Sequence, residues 1–277
     1  MSISKKLLNY ETHVADSNSP TWLLFVHGAG GSTRTWRKQW DYFTGKFNLL
    51  AIDLPGHAKS AEATLAQSFY NFEWIANKIW EVVDELNITK VHVVAVSLGS
   101  IIAMQMQHLR PQAVSAMVFA GPIVGLNLKL RLLARAGLTL AKVVGFQKFY
   151  AITARITLPR KNHQKSREIF VRESKLISDA EYKKWTAMYG KTLDNTLDNL
   201  FSKAPTAPIY FLVGDQDHLF KGPAERYASG YQEVFLEIIE RCGHLVSLEK
   251  SELFNSKCFD FILSLNGNSS SDLGASR

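Results

Sequence analysis

The sequence predicts an α/β fold in which a mostly parallel sheet carries helices on both faces. Short β-branched or apolar runs alternate with longer segments of helical periodicity, which is typical of βαβ units. The strand-like runs are almost continuously apolar, as expected for a sheet that is covered on both sides. The chain has 277 residues, 46% of them hydrophobic, which is enough for one large core.

Six runs are candidates for the parallel strands: 21–28, 47–53, 91–97, 113–121, 207–214 and 233–240. Residues 7–15 could add one or two antiparallel strands at the edge of the sheet. Between strands, residues 72–88 (FEWIANKIWEVVDELNI) place apolar side chains at helical spacing, which predicts an amphipathic helix packed on the sheet.

One interval is too long for an ordinary strand connection. About eighty residues separate two consecutive strands, and most of them have a helix-like pattern, which indicates a subdomain. We predict a helical lid inserted at 122–203 into a core formed by 1–121 and 204–265. The small, polar residues at 266–277 predict a disordered tail.

Positive charge is concentrated in a stretch that lies mostly within the predicted lid and the segment just before it. The net charge is +7, and residues 86–167 contain no Asp or Glu. No nucleic-acid-binding motif accompanies the excess, so nucleic acid is not expected as a partner. Arg131, Arg135 and Lys142 share one face of a predicted lid helix. That face either lies in water, while the helix covers an apolar pocket, or meets an anionic membrane surface or anionic substrate.

Other features exclude several classes of protein. No run approaches the roughly 18 apolar residues of a membrane span, and no apolar segment follows the N-terminal lysines, so we expect a cytoplasmic protein. Cys242 and Cys258 belong to no disulfide framework or metal-ligand cluster. Gly28, Gly30 and Gly31 lack the lysine of a phosphate-binding loop. We expect no cofactor and no metal.

A lone serine lies where a buried strand meets a helix, in the segment AVSLG at 95–99. Such a sharp turn exposes the serine side chain and requires small residues two positions away, because the strand and helix backbones approach closely. Ala95 and Gly99 are those residues here. The pattern matches the nucleophile elbow, with Ala95 replacing its first glycine, and predicts Ser97 as a nucleophile supported by Gly99.

A serine nucleophile needs a base, and the base needs a group that fixes its tautomer. In this architecture the acid and then the histidine follow the serine, each after a strand. His244 follows the last strand, and Asp215 and Asp217 follow the preceding one. We favour Asp217, because three residues past Gly214 let the loop turn back towards the histidine.

The glycine-rich turn at 27–33 (HGAGGST) follows the first parallel strand. Its backbone can present the N–H of Ala29 beside that of Leu98, and together they would form an oxyanion hole. His27 is interpreted as holding this loop through hydrogen bonds, and Gly28 as supporting it. Five other histidines are interpreted as surface or packing residues: His57, His92, His108, His163 and His218.

Five segments together resemble the α/β-hydrolase superfamily, in particular lidded serine hydrolases that include esterases, lactonases and carbon–carbon bond hydrolases. They are HGAGGSTRTW at 27–36, DLPGHAKS at 53–60, VVAVSLGS at 93–100, VGDQDHL at 213–219 and CGHLVSLE at 242–249. The resemblance covers 7–265 and implies an eight-stranded type of sheet. Ala58, Ala95 and Val96 depart from the family's usual residues.

These observations predict an acyl-bond hydrolase that uses a Ser-His-Asp triad and an acyl-enzyme. The favoured substrate is a small-molecule carboxylic ester with an apolar acyl part. Two alternatives remain open. One is a carbon–carbon bond hydrolase or perhydrolase with the same triad. The other is a non-catalytic small-molecule receptor on the same scaffold.

Overall fold

The computed structural model describes residues 6–16, 21–64, 66–126, 130–132, 136–137 and 145–267. Within them lies a seven-stranded sheet of order β1-β3-β2-β4-β5-β6-β7. β1 pairs antiparallel with β3, and the remaining strands pair parallel. The strands are β1 (Tyr10–His13), β2 (Trp22–Val26), β3 (Asn48–Ile52), β4 (Val91–Val96), β5 (Val114–Ala120), β6 (Ile209–Gly214) and β7 (Val234–Ile239).

All six predicted parallel strands are confirmed. The N-terminal segment forms one antiparallel strand, within the one or two expected, so the described part of the chain has seven strands where the resemblance implies eight. The β1–β3 ladder ends at His13, which pairs with Leu49. Two residues later the N–H of Ala15 donates to the Asn48 side chain (2.9 Å), and this contact takes the place of further ladder pairing.

Helices flank the strands, as the alternating pattern predicts. Between β2 and β5 they are α1 (Arg37–Phe43), α2 (Phe72–Glu85) and α3 (Leu98–Leu109). Between β5 and β6 they are α4 (Phe146–Thr157), α5 (Gln164–Ser174) and α6 (Asp179–Leu200). The last are α7 (Lys221–Gly230), α8 (Val246–Glu249) and α9 (Ser251–Gly267).

The sheet has an apolar layer on each face because successive side chains of a strand point in opposite directions. Leu24 and Val26 of β2 pack with α2 and α3 in one cluster. Leu23 and Phe25 of the same strand pack in the other cluster, with Phe43 of α1. This two-sided burial explains why the strand sequences are almost continuously apolar.

Most of the described residues between β5 and β6 are helical, and α6 is fixed to the core near the end of β3. The Trp185 indole donates to the carbonyl of Pro55 (3.0 Å). The buried Glu181 carboxylate accepts from the Tyr70 hydroxyl and from the Lys184 ammonium (2.7 Å). The boundaries at 122 and 203, and the role of this insertion as a lid, stay predictions.

Two of the three residues of the predicted cationic face, Arg135 and Lys142, lie outside the described residues. Arg131 lies near two carboxylates of α6, at 3.5 Å from both Asp194 and Asp198. These pairs reduce the charge that Arg131 offers to an anionic surface. α9 continues to Gly267, and the rest of the predicted tail, 268–277, lies outside the described residues. No described helix is long and apolar enough to cross a membrane.

Candidate active site

Ser97 occupies the sharp turn between β4, which ends at Val96, and α3, which begins at Leu98. Its backbone angles are φ 52° and ψ −120°, a conformation that costs a non-glycine residue roughly 1–3 kcal/mol. The fully buried Ala95 occupies the first small position of the motif, so its methyl group is accommodated. The turn presents the Ser97 side chain at the carboxyl end of the sheet.

Gly99 and Gly28 are required by the close approach of backbones around this turn. A β-carbon at Gly99 would overlap the carbonyl oxygen of Val26 and come within 2.9 Å of the His27 oxygen. A β-carbon at Gly28 would lie 3.0 Å from the Val96 oxygen and 3.2 Å from the Ser97 β-carbon. Both glycines therefore support the position of Ser97, as the sequence predicts.

Replacing Gly99 with alanine should move the elbow. Because the clash is with fixed backbone atoms, we expect Gly99→Ala to lower the free energy of unfolding by about 1–3 kcal/mol. Gly230→Ala is the matched control, since a β-carbon there meets nothing within 4 Å. Urea unfolding of both variants tests this. Equal stability of the two variants would contradict it.

The structure brings Ser97, His244 and Asp217 into one hydrogen-bonded line. The Ser97 Oγ lies 2.9 Å from Nε2 of His244, and Nδ1 of His244 lies 2.7 Å from Oδ2 of Asp217. A carboxylate accepts only, so Nδ1 carries the proton and Nε2 is free to accept from the serine. His244 and Asp217 are almost completely buried, so the imidazole is held in one orientation.

Asp217 remains a carboxylate in this setting. Burial alone would raise its pKa, but His244 and the backbone N–H groups of Phe220 and Leu219 stabilise the anion and hold the pKa below its ordinary value. The alternative acid, Asp215, is exposed and accepts from the backbone N–H of Cys242 (3.0 Å). Asp215 therefore braces the loop that precedes His244, while Asp217 contacts the histidine.

The loop that carries His244 is fixed by Glu249 of α8. Its carboxylate accepts from the backbone N–H groups of Gly243 (2.8 Å) and Leu245 (3.2 Å), on either side of the histidine. His163 is fully buried beside this carboxylate, and its Nε2 lies 2.8 Å from Oε1 of Gln216. The inserted segment thus contacts the loops of both the acid and the histidine.

The two predicted oxyanion donors flank the nucleophile. Leu98 is the first residue of α3, so its N–H has no partner within the helix. Ala29 lies in the turn that follows β2 and lines, with Ser97, a cavity of about 40 Å³. Both residues are adjacent to the elbow or to the cavity beside it, and their role as an oxyanion hole stays a prediction.

The glycine-rich turn is held by two buried histidines instead of one. His27 donates from Nδ1 to the Gly28 carbonyl (2.8 Å) and accepts at Nε2 from Leu54 N–H (2.9 Å). His57 donates to Pro55 (3.0 Å) and accepts from Gly30 N–H (3.1 Å). The prediction for His27 agrees with these contacts, whereas His57 is more than a packing residue because it fixes the turn directly.

Burial makes this arrangement sensitive to acid. It lowers the pKa of His57 from 6.5 to about 3. Below pH 6.5 the unfolded chain therefore binds a proton that the folded protein excludes, and stability falls as the pH decreases. At pH 5 the exclusion of this proton from His57 should lower the free energy of unfolding by about 2 kcal/mol. Between pH 7 and pH 5, the free energy of unfolding measured in urea should fall by about 2 kcal/mol less for His57→Gln than for the wild type.

The exposed His108 offers the control, because the free energy of unfolding of His108→Gln should fall between pH 7 and pH 5 as much as that of the wild type. An identical pH dependence in His57→Gln and the wild type would contradict the assignment of His57 as a buried neutral group.

The cavity beside Ser97 is mostly apolar. Its lining includes Trp36, Val96, Phe170, Leu245 and Leu248. One charged residue, Glu173 of α5, also lines it and is almost fully buried. Glu173 accepts from the Ser32 hydroxyl (2.8 Å) and from the Arg172 guanidinium (3.1 Å). It therefore ties the inserted segment to the glycine-rich turn, a contact that no local sequence pattern indicates.

Within the described ranges, no group of three or more His, Cys, Asp or Glu side chains could hold a metal ion. The arrangement offers a hydroxyl, a base and a carboxylate beside an apolar cavity that Ala29 also lines. These groups can perform acyl transfer through a covalent intermediate.

Comparisons with known proteins agree with this architecture. The family model described as alpha/beta hydrolase fold matches residues 21–251. A relative in Pseudomonas putida, the dihydrolipoyllysine-residue acetyltransferase component of an acetoin cleaving system, is 25% identical over 87% of this chain. The chain spans 63% of that longer protein.

Solved structures share the fold at low identity. An esterase from Exiguobacterium antarcticum superimposes with a TM-score of 0.78 and 17% identity, covering 92% of this chain and 95% of that one. The enol-lactonase from Burkholderia xenovorans LB400 gives 0.76 and 15%, covering 92% and 96%. The family match spans well over half of the sequence, and the chain therefore belongs to the alpha/beta hydrolase fold family.

Proposed function

We propose that this protein hydrolyses small carboxylic esters through a covalent acyl-enzyme. The observation that carries the proposal is the 2.9 Å contact between Ser97 Oγ and His244 Nε2. A hydroxyl at that distance from an unprotonated imidazole nitrogen can lose its proton as it attacks a carbonyl.

In the first half of the reaction, Ser97 Oγ attacks the ester carbon while His244 takes its proton at Nε2. Asp217 stabilises the imidazolium that forms. The N–H groups of Ala29 and Leu98 donate to the oxyanion. The carbonyl then re-forms, the ester C–O bond breaks, and His244 gives its proton to the leaving alcohol.

In the second half, water attacks the acyl-enzyme and His244 accepts one of its protons. Ser97 leaves as the hydroxyl after receiving that proton back, and the carboxylic acid is released. No redox step or external reductant is involved, so the residues named above suffice for the cycle.

The size and the lining of the cavity favour a substrate whose acyl part is small and apolar. Its volume of about 40 Å³ is well below the roughly 300 Å³ of a typical small-molecule site. A long acyl chain would require the inserted helices to move. The esterase and the enol-lactonase of the same fold act on bonds to acyl carbon, which is consistent with the proposed reaction class.

A panel of p-nitrophenyl esters from acetate to dodecanoate tests the proposal. We expect an initial burst of p-nitrophenol, steady turnover, and kcat/KM that falls as the acyl chain lengthens. Steady turnover of 2-hydroxy-6-oxo-dienoates without any ester turnover would favour carbon–carbon bond cleavage. A burst with no steady turnover on any ester would favour a receptor.

A further inference from the structure

A buried tyrosine of the insertion lies directly over the glycine-rich turn. Tyr150 of α4 is only 6% exposed, and its hydroxyl contacts Gly30 so closely that a β-carbon there would overlap it. Gly30 follows Ala29, and both line the cavity that contains Ser97. The Tyr150 hydroxyl is therefore beside the turn that would hold the oxyanion.

This hydroxyl has no hydrogen-bond partner among the described residues. The hydroxyl of Tyr182, on α6, is also buried and unpaired within the same part of the chain. Burial raises the pKa of Tyr150 well above its ordinary value, and the nearby hydroxyls of Tyr189 and Tyr182 raise it further. Tyr150 thus stays protonated at neutral pH and can donate.

The ring of Tyr150 is held independently of its hydroxyl. It stacks on Phe170, with ring centroids 4.7 Å apart, and meets the ring of Phe146 edge-on at 5.4 Å. Phe170 lines the cavity beside Ser97. These contacts explain the position of the ring but give the hydroxyl nothing to bond. A buried hydroxyl without a partner is costly, and water or a bound substrate can supply the missing acceptor.

We propose that the Tyr150 hydroxyl is a specificity-determining donor that binds a second oxygen acceptor on the acyl part of the substrate, a ketone or a carboxylate. This inference rests on the proposed ester hydrolysis and changes its substrate class, because the acyl part then carries one oxygen acceptor and is no longer purely apolar. Oxyanion stabilisation remains with Ala29 and Leu98. Tyr150 recognises an oxygen of the acyl chain, so it acts on substrates that carry one and is indifferent to plain alkyl esters.

The test compares matched methyl esters: pentanoate, 3-oxopentanoate, 4-oxopentanoate and the monoester of glutarate. Turnover is followed by acid release in a pH-stat. The wild type should prefer at least one oxygenated ester, and the identity of that ester separates a ketone from a carboxylate. Tyr150→Phe keeps the ring and should raise KM for that ester by about 5- to 20-fold, the ratio that one hydrogen bond provides. For methyl pentanoate, which offers no second acceptor, the rise in KM should be clearly smaller.

Tyr227→Phe is the matched control, because the Tyr227 hydroxyl donates to the carbonyl of Lys203 (3.1 Å) and its ring packs on Phe201 and Phe211, which do not line the cavity beside Ser97. That variant should lower the melting temperature and leave the ester preference unchanged. Tyr150→Phe should instead keep or raise the melting temperature, since the lost hydroxyl has no described partner. A purely structural role for Tyr150 predicts the opposite result.

Titration of the same esters into Ser97→Ala by calorimetry does not depend on turnover. In one outcome, the wild type hydrolyses no ester while Ser97→Ala binds an oxygenated ester more tightly than methyl pentanoate. If adding Tyr150→Phe then removes this difference in affinity, the binding role of Tyr150 is supported and the proposed reaction is wrong. Unchanged ester preference in Tyr150→Phe overturns the subsite. An equal fall in kcat for every ester also overturns it, because it would make Tyr150 an oxyanion donor.

Discussion

Ser97→Ala should lower kcat for ester hydrolysis by about three to six orders of magnitude. The variant removes the Oγ that lies 2.9 Å from His244 Nε2, and no covalent intermediate can then form. Rates over this range are measured in steady state with high enzyme concentration. They correspond to about 4–8 kcal/mol of lost transition-state stabilisation.

The fold should survive this change, because Ser97→Ala deletes one oxygen from a half-buried site. A melting temperature close to that of the wild type is the required control. Ester turnover at the wild-type rate by a correctly folded Ser97→Ala protein would rule out the proposed mechanism.

Asp217→Asn should lower kcat by about two to four orders of magnitude. The neutral amide cannot stabilise the His244 imidazolium, and its NH2 group can hold the imidazole in the wrong tautomer. Asp215→Asn should change kcat by less than about tenfold, because Asp215 braces the backbone at Cys242 and does not contact the histidine. Steady-state kinetics of both variants test the assignment, and a larger loss in Asp215→Asn would reverse it.

Local sequence patterns predicted the line of Ser97, His244 and Asp217 because each residue follows a strand that its own sequence specifies. The order of parallel strands then brings their carboxyl ends to one edge of the sheet. Loop length alone favours Asp217 over Asp215, and the structure places Asp217 Oδ2 2.7 Å from Nδ1 of His244. The number of strands is less predictable, because residues 7–15 fit either one or two edge strands.

Contacts between distant segments could not be predicted in this way. Glu173 meets Ser32 across 141 positions of sequence, and Tyr150 meets Gly30 from a helix whose placement depends on packing. The segment DLPGH gave a partial signal for His57, since it places a histidine directly after a tight turn near the end of β3. The hydrogen bond from Gly30 N–H to His57 joins the loops that follow β2 and β3. It therefore depends on the pairing of these two strands.

Mass spectrometry of protein treated with a fluorophosphonate probe tests the central claim most directly, because such probes label serines that are activated as nucleophiles. In the wild type we expect one adduct, on the peptide that contains Ser97. We expect no adduct in Ser97→Ala and much slower labelling in His244→Gln, in which the base is lost. An adduct on another residue, or equal labelling of the wild type and His244→Gln, would rule out Ser97 as a nucleophile activated by His244.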